Sequence, residues 1–254
     1  MAGTDQRAKF VVFGSSIVQY AFHNNGWLSI LADLYSRKAD IVLRGYAGWN
    51  SRRALQVLDK VFPKTADVHP DLVIVYFGGN DSMKPHPSGL GPHVPIAEYV
   101  ENMKEIAHHV TSLSEKTRVI FLSSPPVNEA QICKYLCVKL DELQRTNELS
   151  RVYAKACVEI CKELNIKVID LWSVLQKQDD WSTVCFTDGI HLSPEGSRIV
   201  ANEILAILQE TDWEPNLHWK SLSSEFSEDS PYDLLAFDGK TTLNVSDWDF
   251  YRRN

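Results

Sequence analysis

Short apolar runs alternate with longer amphipathic segments along the first two hundred residues of the chain. Each run is ended by glycine, proline or a polar residue, which is typical of strands that are buried on both faces of a parallel sheet. The pattern predicts five strands, over residues 10–13, 41–43, 71–77, 118–124 and 167–172. The third is the strongest, because its run DLVIVYF is almost continuously apolar.

The segments between the runs carry the three- and four-residue spacing of helices. They predict helices over residues 17–35, from residue 50 or 51 onward, over 96–113, through most of 129–164, and over 194–208. The loop over residues 82–95 contains four prolines and two glycines, so we expect an irregular lid or rim there.

Strands that alternate with helices predict an α/β fold in three layers: a flavodoxin-like, five-stranded parallel sheet with helices on both faces, joined by right-handed crossovers. Ligands bind such sheets beyond the carboxyl ends of the strands. Three of the predicted strands end at a glycine, so their ends should meet at one rim. These ends are Gly14-Ser15-Ser16, Gly48-Trp49 and Gly79-Asn80.

The composition agrees with this fold and argues against several classes of partner and location. The length of 254 residues and the hydrophobic content of 44% suit one α/β domain. The net charge of −7 argues against nucleic acid or an anionic membrane surface as a partner. No apolar stretch approaches the roughly 18 residues of a membrane span, and none precedes the first strand. We therefore expect a soluble, cytoplasmic protein.

The cysteines suit reduced thiols, because their number is odd and the chain is of ordinary size. They are Cys133, Cys137, Cys157, Cys161 and Cys185. Two pairs have a spacing of four, which could suggest a metal site. That spacing is helical, however, and no Cys-x-x-Cys or His-x-x-x-His partner accompanies it. We expect core or surface thiols, with no metal and no other cofactor.

Two stretches carry the groups of a nucleophilic site. FGSSIVQ places Ser16 where a strand gives way to a helix, whose first N–H groups would face a developing negative charge. Serine after glycine is also ordinary helix-capping chemistry. FTDGIHLSPEG places Asp188 three residues before His191, just ahead of a helix that starts at Ser193-Pro194. A histidine can take the serine proton, and a carboxylate can orient its ring.

In order along the chain, these motifs resemble those of the SGNH or GDSL-type hydrolases, named for Ser, Gly, Asn and His. The similarity is greatest to the isoamyl acetate-hydrolysing esterase group and its plant homologues. Carried over residue by residue, it implies that Ser16 is the nucleophile, His191 the base and Asp188 its partner. It also implies an oxyanion hole made by the backbone N–H groups of Ser16 and Gly48 and the side-chain amide of Asn80.

The similarity covers residues 10–208 and departs from the family pattern at one position, where the usual Gly-Asp-Ser is replaced by Gly14-Ser15-Ser16. The flanking residues Ile17-Val18-Gln19 match only if Ser16 is the nucleophile. We therefore predict that Ser16→Ala abolishes ester hydrolysis and that Ser15→Ala retains much of it. Our hypothesis is that loss of the neighbouring carboxylate lowers activity relative to the family, which pH–rate profiles of Ser15→Asp and the parent would test.

The resemblance implies a metal-free serine esterase that acts on small esters, acetates or other short acyl groups, through an acyl-enzyme. Trp49, Met83 and Phe186 stand beside motif residues and are candidates for the acyl pocket. An acyltransferase, in which an alcohol replaces water, shares the first half-reaction and stays open. A non-catalytic scaffold with a docking tail is the rival from another class, and the intact triad argues against it. The sequence carries no G-x-S-x-G elbow and no nucleotide-binding glycine motif.

Residues 211–254 lie beyond the family pattern and form an extension to the domain of residues 1–210. Nine acidic and four basic residues give it a net charge of −5, which would suit a disordered tail. Disordered segments are poor in aromatic residues, however, and this one carries Trp213, Trp219, Phe226, Tyr232, Phe237, Trp248, Phe250 and Tyr251. We expect it to wrap its own domain, with partner docking, assembly into an oligomer, or disorder as alternatives. Limited proteolysis separates these, since cleavage throughout the extension would count against wrapping.

Overall fold

The central sheet of the protein has five parallel strands in the computed structural model, which describes residues 7–245. The strands are β1 (Ala8–Gly14), β2 (Ala39–Gly45), β3 (Leu72–Tyr76), β4 (Arg118–Leu122) and β5 (Lys167–Ile169). They lie in the order β2-β1-β3-β4-β5, which is the flavodoxin-like order. The predicted fold class is therefore confirmed. β1 and β2 each begin two residues before the predicted start, because their parallel pairing already begins at Ala8 and Ala39.

Helices cover both faces of the sheet. They are α1 (Ser16–Gln19), α2 (Trp27–Leu34), α3 (Ser51–Val61), α4 (Ile96–Thr111), α5 (Glu129–Leu136), α6 (Asn147–Glu163), α7 (Leu171–Leu175), α8 (Trp181–Val184) and α9 (Pro194–Glu210). A single 3₁₀ turn, Leu140–Glu142, lies between α5 and α6. The loop over residues 82–95 contains no helix or strand, as predicted.

Successive side chains of the strands face two different cores. Phe10 and Val12 of β1 pack with residues of α2 and α9, whereas Val11 and Phe13 pack with residues of α3, α4 and α6. A strand that is covered by an apolar layer on each face carries apolar residues at successive positions, instead of alternating apolar and polar residues. This is why the strands were recognisable as continuous apolar runs.

One predicted helix, over residues 17–35, is wrong as a single element. Its first part is the one-turn helix α1, and a separate helix α2 begins only at Trp27. Between them Asn24 and Asn25 adopt positive φ values of 48° and 56°. Asparagine tolerates this left-handed conformation better than most residues, and two such residues in succession exclude one continuous right-handed helix over residues 17–35. The consequence for the site is that Ser16 starts a single turn rather than a long helix.

The fifth predicted strand is shorter than expected, whereas the segment over residues 129–164 is mostly helical, as predicted, with one break. The fifth strand stops at Ile169, since the side chain of Asp170 accepts a hydrogen bond from Ser173 N and caps α7. The helical segment over residues 129–164 is interrupted after α5, where Cys137 has a φ of 56°. A second cap at Thr146 then starts α6.

The first part of the extension contacts the domain beside the starts of the strands. Leu217 is buried in the core, and its carbonyl accepts a hydrogen bond of 2.8 Å from Tyr35 Oη. Further on, Glu225 forms an ion pair of 2.6 Å with Arg7 and donates its N–H to the carbonyl of Arg37.

The later part of the described extension is a short hairpin of β6 (Leu234–Leu235) and β7 (Thr242–Leu243). Tyr232 and Phe237 of this part are fully exposed. The predicted aromatic contacts of Trp248, Phe250 and Tyr251 lie outside the described residues, so wrapping by the extension as a whole stays a prediction. Over residues 7–245, no helix has both the length and the apolar character that crossing a bilayer requires.

Candidate active site

Asp188 and His191 form a hydrogen-bonded pair within one tight loop. The distance between His191 Nδ1 and Asp188 Oδ2 is 2.6 Å. The other carboxylate oxygen, Oδ1, accepts the backbone N–H groups of Ile190 and His191 at 2.9 and 2.8 Å. Gly189 makes the turn with a φ of +89°, and a Cβ atom there would lie 2.5 Å from the carbonyl oxygen of Asn128. The three-residue spacing seen in the sequence therefore suffices to bring the two side chains together.

These hydrogen bonds keep the carboxylate of Asp188 ionised. Partial burial on its own would raise the pKa of this group, but the hydrogen bonds from the side chain and backbone of His191 and from Ile190 N outweigh it and lower the pKa to about 2. An ionised carboxylate only accepts hydrogen bonds, so the proton of a neutral His191 ring lies on Nδ1. The opposite nitrogen, Nε2, is left as a base.

Ser16 is the first residue of α1 and is half-buried, whereas Ser15 before it is buried. The backbone of Ser15 is held by β3, because its N–H donates to the carbonyl of Tyr76. One turn after Ser16, Tyr20 places its ring edge against the His191 ring, with 5.3 Å between the centroids. This contact brings the base beside the helix that carries Ser16. The contacts within residues 7–245 include no hydrogen bond between the side chains of Ser16 and His191.

Gly48 lies in the loop between β2 and α3 and is exposed. Its φ is +80°, a left-handed conformation that favours glycine, and a Cβ atom there would meet nothing within 4 Å. The backbone conformation by itself therefore accounts for glycine at this position. The next residue, Trp49, accepts a hydrogen bond of 2.7 Å from Asn80 Nδ2 on its carbonyl oxygen. Gly48 and Asn80 are therefore brought together.

The loop that carries Asn80 is buried and heavily hydrogen-bonded. Asn80 Oδ1 accepts a hydrogen bond from Arg145 Nη2, and the carbonyl of Gly79 accepts one from Arg145 Nη1. The neighbouring Asp81 accepts the N–H groups of Ser51 and Gly78, at 2.9 and 3.1 Å. Burial raises the pKa of Asp81 above its usual value. The loop after β3 is thus tied to the first residue of α3 on one side and to Arg145 on the other.

A small cavity of about 10 Å³ adjoins Ser16 and Asn80. Its lining residues are Ser15, Ser16, Ile17, Tyr76, Gly79, Asn80, Pro125, Val127, Arg145, Ser150 and Ile190. Ile190 immediately precedes His191, so three of the predicted motifs contribute to this cavity or directly flank it.

The three residues predicted for the acyl pocket do not line this cavity. Phe186 is buried in the core between the sheet and α9. Trp49 stacks on Tyr46, with 4.2 Å between ring centroids, and the carbonyl of Met83 binds the ring of His93. They were chosen because they are adjacent to motif residues in the sequence, and adjacent side chains point in different directions. The apolar residues that do line it include Pro125, Val127 and Ile190, and a role for Trp49, Met83 and Phe186 in binding the acyl group stays a prediction.

Arg145 contacts the candidate site but was not predicted from the sequence. It lies just before α6, 65 residues beyond Asn80, and no local pattern marks it. In the sequence it is an ordinary basic residue, and nothing near it indicates that its side chain contacts Asn80.

The cysteines form no part of this site. Cys157 and Cys161 lie on α6 and are buried in the core that faces α3 and α4, and Cys185 is buried in the other core. In the described part of the chain, no three His, Cys, Asp or Glu side chains are grouped closely enough to hold a metal ion.

Comparison with known proteins agrees with this geometry. The chain matches the GDSL-like lipase/acylhydrolase family over residues 12–199. It is 63% identical to the GDSL esterase/lipase WDL1 of Oryza sativa subsp. japonica, over 97% of this chain and 95% of that protein. It is 35% identical to the isoamyl acetate-hydrolyzing esterase 1 homolog of Rattus norvegicus, over 76% of this chain and 78% of that protein.

Solved structures show the same fold. A lipase/acylhydrolase from Enterococcus faecalis superposes with a TM-score of 0.64 at 18% identity, covering 88% of this chain and all of that one. The acetyl xylan esterase AlAXEase gives a TM-score of 0.62 at 16% identity, over 78% of this chain and 98% of that one. The chain therefore belongs to the GDSL-like lipase/acylhydrolase family and is a carboxylic ester hydrolase, as the resemblance of its motifs predicted.

Proposed function

From this family membership, we propose that the protein is a serine esterase that hydrolyses small carboxylic esters, with acetyl or another short acyl group, through an acyl-enzyme. The observation that carries the proposal is the cavity that Ser16 and Asn80 line together with Ile190, the residue before His191. A nucleophile, a base and an oxyanion donor are the groups that acyl transfer to serine requires.

In the first half-reaction, Ser16 Oγ attacks the ester carbonyl and its proton passes to His191 Nε2. The tetrahedral intermediate collapses, and the alcohol leaves with the proton from His191. In the second half-reaction, water attacks the acyl-enzyme with His191 again as base, and the acid and free Ser16 are released. Asp188 stays ionised throughout and stabilises the imidazolium that forms twice in each cycle.

The negative oxygen of each tetrahedral intermediate would be bound by the side-chain amide of Asn80 and the backbone N–H groups of Ser16 and Gly48. Fixed donors stabilise this charge well because they need not reorganise as it develops. Asn80 suits the role because its amide is already held by Trp49 and Arg145.

The size of the cavity supports a short acyl group. A volume of about 10 Å³ is about the room that one water molecule needs, and a methyl group is of similar size. Pro125, Val127 and Ile190 contribute apolar side chains to its lining, which an acetyl methyl group could contact. The relatives named as isoamyl acetate-hydrolyzing esterase homologs support acetates as the substrate class.

A panel of p-nitrophenyl esters tests the proposal. We expect the acetate to be hydrolysed faster than the butyrate and the octanoate, and a fluorophosphonate to label Ser16. Ser16→Ala should abolish both turnover and labelling, because the nucleophile is gone.

Ser15→Ala is the matched control, since it removes the neighbouring hydroxyl and leaves Ser16 in place; it should retain much of the activity. Turnover that survives Ser16→Ala but not Ser15→Ala would contradict the assignment. The absence of turnover on every ester, together with no labelling of Ser16, would remove the esterase proposal. Added alcohol that diverts the acyl group into a new ester faster than water releases it would instead identify an acyltransferase.

A further inference from the structure

We infer that Arg145 is a positioning residue of the oxyanion hole: its guanidinium fixes the orientation of the Asn80 amide and places a positive charge behind it. This inference rests on the proposed function, because it assigns Arg145 a part in the same reaction. The inference is based on the two hydrogen bonds that the guanidinium of Arg145 donates to Gly79 and Asn80. All three residues line the cavity that Ser16 also lines.

The contacts of the Asn80 side chain determine which end of its amide faces which way. A guanidinium only donates hydrogen bonds, so the amide atom that meets Arg145 Nη2 is the oxygen, Oδ1. The carbonyl of Trp49 only accepts, so the atom 2.7 Å from it is the nitrogen, Nδ2. Nδ2 carries two hydrogens. One is bound by Trp49, and the second is left for a substrate oxygen.

The two NH₂ groups of Arg145 hold Asn80 by both its side chain and its neighbouring backbone. Nη1 donates to the carbonyl of Gly79 while Nη2 donates to Asn80 Oδ1. Rotation of the Asn80 side chain would break the second bond while the first still held the guanidinium. A lysine could supply the charge but not this two-point geometry, because an ammonium is a single point of donation.

The charge of Arg145 is partly buried and has no ion-paired carboxylate. Burial lowers its pKa, and the carboxylates of Asp188 and Asp81 offset this only through longer-range attraction. Among the ion pairs formed within residues 7–245, none includes Arg145. A partly buried cation whose hydrogen-bond partners are neutral oxygens loses hydration without gaining an ion pair, which is unfavourable in the resting protein. A negative oxygen that develops in the adjoining cavity would be stabilised by it, so the cost is offset in the transition state.

Arg151, six residues further along, provides the contrast. It lies near the start of α6, is exposed and forms an ion pair with Glu148, with 2.8 Å between Arg151 Nε and Glu148 Oε2. Arg151→Met removes an arginine from α6 without touching the cavity, and it is therefore the matched control for Arg145→Met.

A double-mutant cycle with Asn80 tests the inference. We expect Arg145→Met to lower kcat for p-nitrophenyl acetate by about 30- to 100-fold with KM changed less than about threefold, because an interaction made in the transition state is lost. In the Asn80→Ala background the same substitution should lower kcat by less than about threefold, since the group through which Arg145 acts is absent. Methylguanidine should restore part of the activity of Arg145→Ala and none of Arg145→Ala combined with Asn80→Ala.

Arg145→Lys keeps the protein testable if the methionine variant does not fold. It should retain the positive charge but not the pair of hydrogen bonds to Gly79 and Asn80, so we expect a smaller loss of kcat, about tenfold. This loss should also disappear in the Asn80→Ala background. Thermal unfolding of every variant, and fluorophosphonate labelling of Ser16, identify loss through misfolding.

Fully additive losses of kcat for Arg145 and Asn80 variants would overturn the inference, as would an equal loss in Arg151→Met. A parent protein that hydrolyses esters and loses activity in Asn80→Ala but not in Arg145→Met would reject this inference alone. A parent protein without turnover or labelling would instead reject the proposed function.

Discussion

The acid–base half of the candidate site is assembled within one turn of chain, whereas the oxyanion half is assembled from segments far apart in the sequence. Asp188 and His191 are three residues apart, and their side chains are 14% and 29% exposed. Asn80 is held by Trp49 and Arg145, which are 31 and 65 residues away from it, in a buried environment. The first half depends on a local turn, and the second depends on tertiary packing.

This difference predicts how substitutions in each half affect activity and stability. In the acid–base half, removal of the His191 ring should remove chemistry and leave the fold, because the ring reaches solvent and its partner is local. In the oxyanion half, a substitution should cost both activity and stability, because it leaves buried polar groups without partners.

His191→Ala should lower kcat by about 10⁴-fold or more, because Ser16 would then lack a base in both half-reactions. Thermal stability should change little, since the ring is partly exposed. Steady-state kinetics on p-nitrophenyl acetate and a thermal melt measure the two effects. A residual kcat above one hundredth of the parent's would show that another group takes the proton.

Asn80→Ala should lower kcat by about 10²- to 10³-fold, the usual effect of removing one oxyanion donor. Unlike His191→Ala, it should also lower the free energy of unfolding, by about 1–3 kcal/mol, because Arg145 and the Trp49 carbonyl lose a buried partner. Chemical denaturation of both variants, side by side, checks this. Equal stability of the two would break the contrast between the halves.

Asp188 should give the acid–base half a pH-dependent contribution to stability. Its folded pKa of about 2 lies below the ordinary value of 3.8. The unfolded chain therefore binds the proton first as the pH falls, so the contribution is full above about pH 4 and is lost between about pH 4 and pH 2. The difference amounts to about 2 kcal/mol.

Denaturation of the parent and Asp188→Asn across that range measures this contribution. The two should differ above pH 4 and converge toward pH 2. A difference that is constant with pH would show that the carboxylate is not held by charge-dependent hydrogen bonds. Asp81 in the oxyanion half should act in the opposite direction, because burial raises its pKa and its ionisation as the pH rises disfavours the folded state.

The contrast between the halves also explains what could be predicted from the sequence. The strands were recognisable because both of their faces are buried, and Asp188 with His191 because a turn brings together residues three apart. The break at Asn24 and Asn25 was missed because a local pattern of apolar residues says nothing about two consecutive residues with positive φ. Helical spacing alone could not show it.

Arg145 and the walls of the cavity could not be predicted, for a different physical reason. The contacts of Arg145 arise because the segment just before α6 packs against the loop after β3, and this packing depends on the whole fold rather than on any stretch of the sequence. Trp49 and Phe186 were chosen by adjacency in sequence, but one stacks on Tyr46 and the other lies in the core. Direction of a side chain, rather than distance along the chain, decides which residues line a cavity.

Tyr20 offers the smallest effect and the sharpest test of the contrast. Its ring contacts His191 from outside the loop, as Arg145 contacts Asn80 from outside its loop. Because Asp188 already holds the His191 ring, Tyr20→Ala should lower kcat by only about two- to tenfold, the range that corresponds to one aromatic contact. Tyr20→Phe keeps the ring and should match the parent. A loss in Tyr20→Ala that equals or exceeds the loss in Arg145→Met would mean that the acid–base half also depends on remote packing, and the local turn would not be what holds it.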